Sequence, residues 1–312
     1  MSLTKSVKSI IRYIKKSSVW VKLIILCICV LLLVNLFKRV ETRVEGFESK
    51  GPKYTLKKKD LYDKFYSEIY DELVYNPKKN EYEISNILKK IALPKKSKIL
   101  DIGSGTGHHV ALFNKKGFNC MGIDQSAAMV EKAKKNYQNY TFYNGNVLKS
   151  IAFPADSYSM ISCFYFTIYY IKEKRQFFQN CMYWLEPGGW LALHLVDRNN
   201  FDPIIPAGDP FVMISPQNYT KKRITSSVVK FNNFKYKANF KLDDASSIGK
   251  FKESIKFDKS GKVRENEHTF YMETQRQILS IAKEAGFILE AKIDLTRCQY
   301  DNQYLYLLYK PQ

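Results

Sequence analysis

The chain has 312 residues, of which 45% are hydrophobic and 26% are charged, and its formal net charge is +20. This composition is typical of a globular protein and excludes a disordered or low-complexity chain. The positive charge is compatible with nucleic acid or anionic lipid as a partner, but AT-biased coding, which favours Lys, Asn and Tyr, accounts for it without any partner.

The first 59 residues combine a basic excess with one long apolar segment. They contain 14 of the 50 Lys and Arg residues, and residues 1–18 form a basic tail. Residues 19–37 read VWVKLIILCICVLLLVNLF. As a helix this segment would span about 28 Å, close to the hydrocarbon thickness of a bilayer. We therefore predict a transmembrane helix at 19–37 and a polar linker at 38–59 in a single-pass membrane protein.

The six cysteines are scattered along the chain, with no Cys-x-x-Cys pair and no His cluster at metal-ligand spacing. Four of them lie outside the apolar segment, mostly in strand-like or helix-like patterns where Cys behaves as a small apolar residue. The sequence therefore predicts reduced thiols and no metal site.

Strands and helices alternate between residues 60 and 197. Two amphipathic helical segments come first and end at Pro94. Apolar strands are then predicted at 98–102, 119–123, 141–143, 158–164 and 190–196, with helices at 110–116, 127–137 and 174–185 between them. This rhythm predicts a parallel sheet that is covered by helices on both faces.

The alternation of strands and helices stops after Asp197. Residues 201–225 are loop-like and contain four prolines, and residues 227–272 alternate apolar and polar side chains. Such alternation is typical of an antiparallel meander with one face toward water. A helix at 274–285 and a strand pair at 287–294 and 304–310 complete the prediction.

A glycine-rich turn follows the first strand of the alternating region and reads Asp101-Ile102-Gly103-Ser104-Gly105-Thr106-Gly107. Glycines at this spacing allow a tight turn and a close approach of the backbone to a ligand at a helix N-terminus. Asp124 ends the second strand, where an acid can bind both hydroxyls of a ribose. Residues 185–189, Leu-Glu-Pro-Gly-Gly, form a turn before the last parallel strand.

Together these three elements resemble the class I S-adenosylmethionine (SAM) dependent methyltransferase family over residues 60–312. The resemblance implies a Rossmann-like α/β fold, with a seven-stranded, mostly parallel sheet and helices on both faces. The antiparallel β-meander would then be an insertion over residues 201–272. The N-terminal transmembrane helix at 19–37 would precede this domain.

The resemblance also implies SAM as cofactor and a set of residues that bind it. Gly103, Gly105 and Gly107 would border the methionine part, and Asp124 would bind the ribose. The full implied set is Asp101, Gly103, Ser104, Gly105, Gly107, Asp124, Gln125, Met129, Asn146 and Val147. Asn146 stands where the family often has Asp, and Ser159 also departs from the family pattern, so weaker contacts are expected at these two positions.

The acceptor side of the site is less well defined by the sequence. Tyr165 and His194 are the candidate catalytic residues, because they fall near the ends of the fourth and fifth strands. Further candidates are Tyr169, Asp197, Tyr66, Tyr70 and His268. A Gly-x-His at the start of the first helix is similar to that of small-molecule N-methyltransferases. Each of these tyrosines and histidines is equally compatible with a packing role.

The predicted function is methyl transfer from SAM to a small molecule, a lipid headgroup or a membrane-proximal protein. The catalytic domain is expected in the cytosol, because SAM is made there. Two alternatives remain: an RNA methyltransferase, which only the charge favours, and a catalytically inactive methyltransferase-fold protein that serves as a membrane scaffold.

Overall fold

The structure is a computed structural model that describes residues 17–41, 53–57, 61–149, 152–203, 223–231 and 233–312. The chain divides into two compact units, Met1–Lys50 and Gly51–Gln312. In the first unit the described element is helix α1, Val19–Glu41. The predicted basic tail at 1–18 and the linker at 38–59 lie largely outside the described residues.

The prediction of a transmembrane helix and a single-pass membrane location is corrected by the structure. Helix α1 does not end with the apolar run at residue 37 but continues through two basic residues to Glu41. No helix in the described part of the chain is both long and apolar enough to cross a bilayer.

The second unit alternates strands and helices before a run of consecutive strands. Its helices are α2 (Lys64–Val74), α3 (Pro77–Lys90), α4 (His108–Lys115), α5 (Ala127–Asn136), α6 (Thr167–Tyr170), α7 (Lys174–Trp184) and α8 (Gln275–Glu284). Its strands are β1 (Lys53–Lys57), β2 (Lys98–Ile102), β3 (Asn119–Asp124), β4 (Thr141–Asn144), β5 (Tyr158–Cys163), β6 (Leu185–Val196), β7 (Ser226–Lys230), β8 (Phe234–Asp243), β9 (Ile248–Phe257), β10 (Val263–Tyr271), β11 (Ile288–Asp294) and β12 (Gln303–Tyr309).

The larger sheet has seven strands in the order β11-β12-β6-β5-β2-β3-β4. The five strands from β6 to β4 pair in parallel, whereas β12 pairs antiparallel with both β6 and β11. The prediction of a Rossmann-like, mostly parallel sheet is confirmed. Strand order reverses between β5 and β2, and ligands of open α/β sheets bind at such a switch point.

The smaller sheet has the order β1-β10-β9-β8-β7. Strands β7 to β10 form an antiparallel meander, as the alternating pattern indicates, and β1 adds to its edge in parallel with β10. The pairing of β1 with β10 joins residues more than 200 positions apart, and no local pattern in the sequence predicts it.

Helix starts near the site are fixed by side chains that accept hydrogen bonds from the free backbone N–H groups of the first turn. Asp63 caps α2, Asn76 caps α3 with Pro77 behind it, and Ser126 caps α5. These caps determine where each helix begins relative to the neighbouring strand end. They therefore place α2 and α5 beside the carboxyl ends of β2 and β3.

Candidate active site

The turn after β2 exposes backbone rather than side chains, because every second residue from Gly103 to Gly107 is glycine. Gly103, Gly105 and Gly107 have φ angles of +70°, +53° and +91°, a region that L side chains rarely adopt. A Cβ at Gly103 would lie 2.4 Å from Thr167 Oγ1, and one at Gly107 would lie 2.7 Å from the Phe142 ring. Close packing as well as backbone conformation thus requires glycine at both ends of the turn.

The carboxylate of Asp124 lies at the end of β3 against this turn. It accepts a hydrogen bond from the Gly105 N–H at 3.0 Å and another from the Ser126 N–H at 2.8 Å. Burial raises the pKa of this carboxyl above its ordinary value, although both N–H groups oppose the shift. The structure therefore brings together the glycine turn and the acid that the sequence assigns to a ribose.

Two further residues of the predicted cofactor set are buried beneath the turn. Asp101 accepts a hydrogen bond from Ser162 Oγ at 2.7 Å, and burial raises its pKa to about 6. Ser104 is buried beside Gly122, whose Cβ, if present, would lie 2.5 Å from the Ser104 hydroxyl. Asp101 thus links the end of β2 to β5, and the contact of Asp101 and Ser104 with a cofactor stays a prediction.

The remaining predicted cofactor residues lie along the next two strand ends. Met129 is buried, and its N–H donates to the capping Ser126 hydroxyl at 3.1 Å. The Gln125 carbonyl accepts from Asn144, and the Val147 carbonyl accepts from Asn180. Asn146 accepts from the Leu148 N–H at 2.9 Å and lines a cleft separate from the pocket described next.

An aromatic pocket opens at Gly103, on the side of the turn that faces the second sheet. It has about 660 Å³ of empty space including its open mouth. Its walls come from the segment before α2, from α2, α6 and the meander. The lining residues are Tyr62, Tyr66, Tyr70, Val74, Gly103, Tyr165, Phe166, Thr167, Tyr170, Phe201, Pro203, Phe251, His268 and Phe270. None of these described lining residues is Lys or Arg.

A buried carboxylate lies directly behind this pocket. Glu253 on β9 is 1% exposed and accepts from the Tyr66 hydroxyl at 2.9 Å and the Tyr236 hydroxyl at 2.5 Å. Its other oxygen accepts from Asn266 at 3.0 Å and lies 2.7 Å from His268 Nε2. Burial alone would raise the pKa of Glu253, but the interaction with His268 and these hydrogen bonds lower it below its ordinary value.

A line of hydrogen bonds runs from Glu253 to the pocket wall. His268 Nδ1 lies 2.6 Å from the Tyr170 hydroxyl, which in turn lies 2.7 Å from the Tyr62 hydroxyl. Burial raises the pKa of both tyrosines well above the ordinary value, so both hydroxyls stay protonated at neutral pH. The pocket thus offers neutral hydroxyls at its surface and one negative charge behind them.

Helix α2 covers the glycine turn as well as the pocket. Thr106 Oγ1 donates to the Asp71 carboxylate at 2.5 Å, and a Cβ at Gly105 would lie 3.7 Å from the Tyr70 ring. The Ser126 hydroxyl donates to the Tyr62 carbonyl at 2.6 Å. One helix and its leading segment therefore lie across both the glycine turn and the aromatic pocket.

The two predicted catalytic residues have different positions. Tyr165 lines the pocket and has a φ of +54°. His194 is fully buried and does not line the pocket, and its Nδ1 lies 2.6 Å from the Tyr165 carbonyl oxygen. Burial lowers the pKa of His194 to about 4, so this imidazole is neutral at physiological pH. His194 therefore lies behind the pocket wall, where it contacts the Tyr165 carbonyl and the rings of Tyr165 and Phe166.

The other sequence candidates are only partly at the site. Tyr66, Tyr70 and His268 line the pocket, whereas Tyr169 is buried and its hydroxyl accepts from the Val196 N–H at 2.8 Å. Asp197 accepts hydrogen bonds from Asn199 and Asn200 in the loop after β6.

Sequence reasoning missed Glu253, although the sequence carries a signal for it. In β9 it alternates in phase with Phe251 and Ile255, which are buried on the inner face of the meander. Burying an acidic side chain among the apolar residues of a strand's inner face costs free energy unless the carboxylate is paired. An acid at such a position is therefore a candidate functional residue. Asn266 and His268 occupy the same inner phase of β10. No comparable signal marks Tyr170.

The geometry fits the SAM that the resemblance implies. The glycines at the turn leave room for a ligand against the backbone, and Asp124 keeps acceptor capacity for ribose hydroxyls beyond the two N–H groups that it binds. Gly103 belongs to both the turn and the pocket, so a group bound at the turn would meet an acceptor at that residue.

Comparison with known proteins agrees with this arrangement. Residues 99–189 match a family model described as a methyltransferase domain, and this range includes the glycine turn, Asp124, strand β5 and the start of β6. A phosphoethanolamine N-methyltransferase of Plasmodium falciparum is 26% identical over 211 residues, which are 65% of this chain and 72% of that protein.

Solved structures share the fold at low sequence identity. A SAM-dependent methyltransferase from Clostridium acetobutylicum superposes with a TM-score of 0.61 at 15% identity, over 80% of this chain and 98% of that one. A SAM-bound amino pentose methyltransferase from Micromonospora echinaspora superposes with a TM-score of 0.55 at 16% identity, over 80% and 98% of the two chains. At such identities the likeness extends to the fold alone.

Proposed function

Because the chain belongs to the class I SAM-dependent methyltransferases, we propose that it transfers the methyl group of SAM to the amino group of a small molecule. The acceptor is held in the aromatic pocket at Gly103. One observation carries this proposal. The aromatic pocket reaches the glycine turn at Gly103, and the buried carboxylate of Glu253 lies behind its wall, against His268.

The pocket suits an organic cation. Faces of tyrosine and phenylalanine rings attract ammonium groups by roughly 0.5–2 kcal/mol each. Glu253 adds a full negative charge, which the low-dielectric surroundings screen weakly. No described lining residue is Lys or Arg, so His268 is the one basic side chain of the described wall that pairs with that charge. An ammonium acceptor is therefore favoured over a neutral alcohol of the same shape.

The chain's own residues supply binding, orientation and exclusion of water. Bound SAM would provide a methyl group on a sulfonium, which is already an activated leaving group. Asp124 and the glycine turn would hold it, and the walls from α2 and the meander would align the acceptor nitrogen with the methyl carbon. Such alignment accounts for much of the rate in a displacement of this kind. The nitrogen must be neutral when it attacks, so the site must also remove a proton.

The names of two similar proteins support an amine acceptor. The Plasmodium relative is named for phosphoethanolamine and the Micromonospora neighbour for an amino pentose, and both acceptors are small and carry an amino group. For this chain a phosphorylated acceptor is less favoured, because the described pocket wall offers no cation to the phosphate.

Other acceptors from the sequence analysis receive less support. A lipid headgroup or a membrane-proximal protein has no described contact in its favour. An RNA acceptor stays a prediction that depends on net charge. The hypothesis of a catalytically inactive scaffold gives way to that of an active enzyme, since a methyltransferase domain matches residues 99–189, which include the glycine turn and Asp124.

The test is a methyl-acceptor screen with the full chain, SAM and matched pairs of compounds. Suitable pairs are ethanolamine and ethylene glycol, glucosamine and glucose, and ethanolamine and phosphoethanolamine, with products identified by mass spectrometry. The proposal predicts methylated amines and no methylated alcohols, with phosphoethanolamine the poorer member of its pair. Transfer to an alcohol at the rate of its matched amine would contradict it.

A further inference from the structure

We propose that Tyr62, Tyr170 and His268 form a proton relay that removes the proton from the acceptor ammonium, with Glu253 as the fixed counter-charge. The inference deepens the proposed function and rests on it. It assigns a role to a line of hydrogen bonds that joins the segment before α2, helix α6 and strands β9 and β10.

The direction of each hydrogen bond follows from one donor that cannot accept. The Arg264 guanidinium donates from Nε to Asn266 Oδ1 at 2.9 Å. The Asn266 amide nitrogen must therefore face Glu253, to which it donates at 3.0 Å. With Tyr66 and Tyr236 also donating, Glu253 acts only as an acceptor. Its partner atom, Nε2 of His268, must then carry a hydrogen.

The tautomer of His268 determines the direction of the remaining hydrogen bonds in the relay. With a hydrogen on Nε2, the neutral imidazole has an unprotonated Nδ1, which accepts from the Tyr170 hydroxyl. The oxygen of Tyr170 then accepts from the Tyr62 hydroxyl. The oxygen of Tyr62 keeps a lone pair, and Tyr62 is a lining residue of the pocket. The relay therefore presents an acceptor, rather than a donor, to a ligand in the pocket.

The proton balance of the step is complete. The acceptor ammonium gives a proton to the Tyr62 oxygen, Tyr62 passes its hydrogen to Tyr170, and Tyr170 passes its hydrogen to His268 Nδ1. The neutral amine attacks the methyl carbon, a C–N bond forms, and the C–S bond breaks with its electron pair on sulfur. The product leaves as a methylated ammonium, and the imidazolium returns its proton through the same hydroxyls to water.

Of the ionisable groups that face His268, the Glu253 carboxylate is the closest, and it stabilises an imidazolium formed during the step. Hydrogen bonds keep this carboxylate in the charged form at neutral pH against the cost of its burial. The others are neutral phenols whose pKa values burial raises: Tyr62, Tyr66, Tyr170 and Tyr236. Arg264 is the nearest described cation along this network and is separated from His268 by Asn266 and Glu253. No described positive charge bonds directly to the imidazole.

A purely structural role would leave the network closed on itself. Here all three members of the relay, Tyr62, Tyr170 and His268, line the pocket. Tyr66, which donates to Glu253, lines it as well. Packing alone does not require a charged residue at position 253, since an apolar residue of similar size would fill the same space without the cost of desolvating a carboxylate. A charge that is retained at the back of a ligand-facing pocket indicates a role in the reaction.

The experiment compares Tyr170→Phe and His268→Gln with Tyr169→Phe in the full chain. Tyr169 is the matched control, because it is a buried tyrosine in the same helix whose hydroxyl bonds to backbone outside the pocket. The acceptor is the best amine from the paired screen, and kcat is measured between pH of about 6 and about 10. Loss of general base catalysis typically lowers kcat by about 10²–10⁴-fold.

The relay predicts that Tyr170→Phe and His268→Gln lose about 10²-fold or more in kcat near pH 7. It also predicts that they regain much of this loss at a pH where the amine is already neutral, or with a fluorinated analogue whose amine is neutral at pH 7. Calorimetric SAM binding and the control variant should stay unchanged. Uniform loss at every pH, or an equal loss in Tyr169→Phe, would overturn the relay. Absence of transfer to any amine by the unmodified chain would instead overturn the proposed function.

Discussion

The guanidinium of Arg264, on β10, donates hydrogen bonds to both carboxylate oxygens of Asp63, at 2.9 and 2.8 Å. Asp63 caps α2, so this pair ties the meander to the helix that covers the pocket. The same guanidinium also donates to the Leu61 carbonyl at 2.9 Å and lies over the Phe65 ring. The pair thus determines how the pocket is covered.

Replacing this guanidinium should loosen the cover. We expect Arg264→Met to lower the free energy of unfolding by about 2 kcal/mol or more, because hydrogen bonds to charged groups contribute roughly 1.5–3 kcal/mol. The measurement is urea denaturation followed by circular dichroism. Arg175→Met is the control, since its pair with Glu284 is largely exposed and such pairs contribute about 0–1 kcal/mol. Equal effects of the two substitutions would contradict the assignment.

A second buried ion pair lies between Lys79 and Glu83 on α3, with 2.5 Å between Nζ and Oε1 and almost no exposure of either side chain. Burial opposes ionisation of Glu83, but Lys79 and His109 lower its pKa to about 2. Glu83→Gln leaves the buried ammonium without its carboxylate and should cost about 3–5 kcal/mol. Glu81→Gln, two residues earlier in the same helix and in an exposed pair with Lys116, should cost less than about 1 kcal/mol. Chemical denaturation of both variants tests this difference.

The buried Asp101 makes stability depend on pH. Burial raises its pKa from 3.8 to about 6, so the folded state binds this proton more tightly than the unfolded state does. Its contribution is fully present below about 3.8 and is lost as pH rises through about 6. The side chain that Asp101→Asn introduces cannot titrate. As pH rises from about 3.8 to above about 6, the free energy of unfolding of this variant should therefore increase by about 3 kcal/mol relative to that of the unmodified chain. A difference in unfolding free energy that stays constant with pH would count against this.

Gly103 should not tolerate even a methyl group. Its φ of +70° costs an L residue about 1–2 kcal/mol, and the new Cβ would also lie 2.4 Å from Thr167 Oγ1. Gly261→Ala is a matched control, because Gly261 has a φ of +64° and no atom within 4 Å of the added Cβ. We expect Gly103→Ala to lose more stability than Gly261→Ala and, unlike it, to weaken SAM binding. Thermal unfolding and calorimetry report the two effects.

Local sequence patterns were sufficient for the main sheet and for the glycine turn. The alternation of strands and helices and the positions of Gly103, Gly107 and Asp124 depend on residues that are close in the chain. The meander was also predicted correctly, because period-two alternation is a local property.

The acceptor pocket was only partly predictable, because its contacts join distant parts of the chain. Tyr170 meets His268 across 98 residues, and Arg264 meets Asp63 across 201. Glu253 had a signal in its strand phase, but its four partners come from three different elements, α2, β8 and β10. The apolar run at 19–37 shows the opposite failure, since a strong local pattern led to a membrane prediction that the structure does not support.

The most direct test of the account is calorimetric binding of SAM to the full chain and to Asp124→Asn, with Asp258→Asn in an exposed turn as the control. Asp124 accepts a hydrogen bond from the glycine turn and is the acid that the family resemblance assigns to the ribose of SAM. The account predicts that its replacement weakens SAM binding by about 10- to 100-fold, as expected for hydrogen bonds to a charged acceptor, while the control binds normally. Equal affinity of Asp124→Asn and the unmodified chain would place the cofactor away from this turn and would contradict the account.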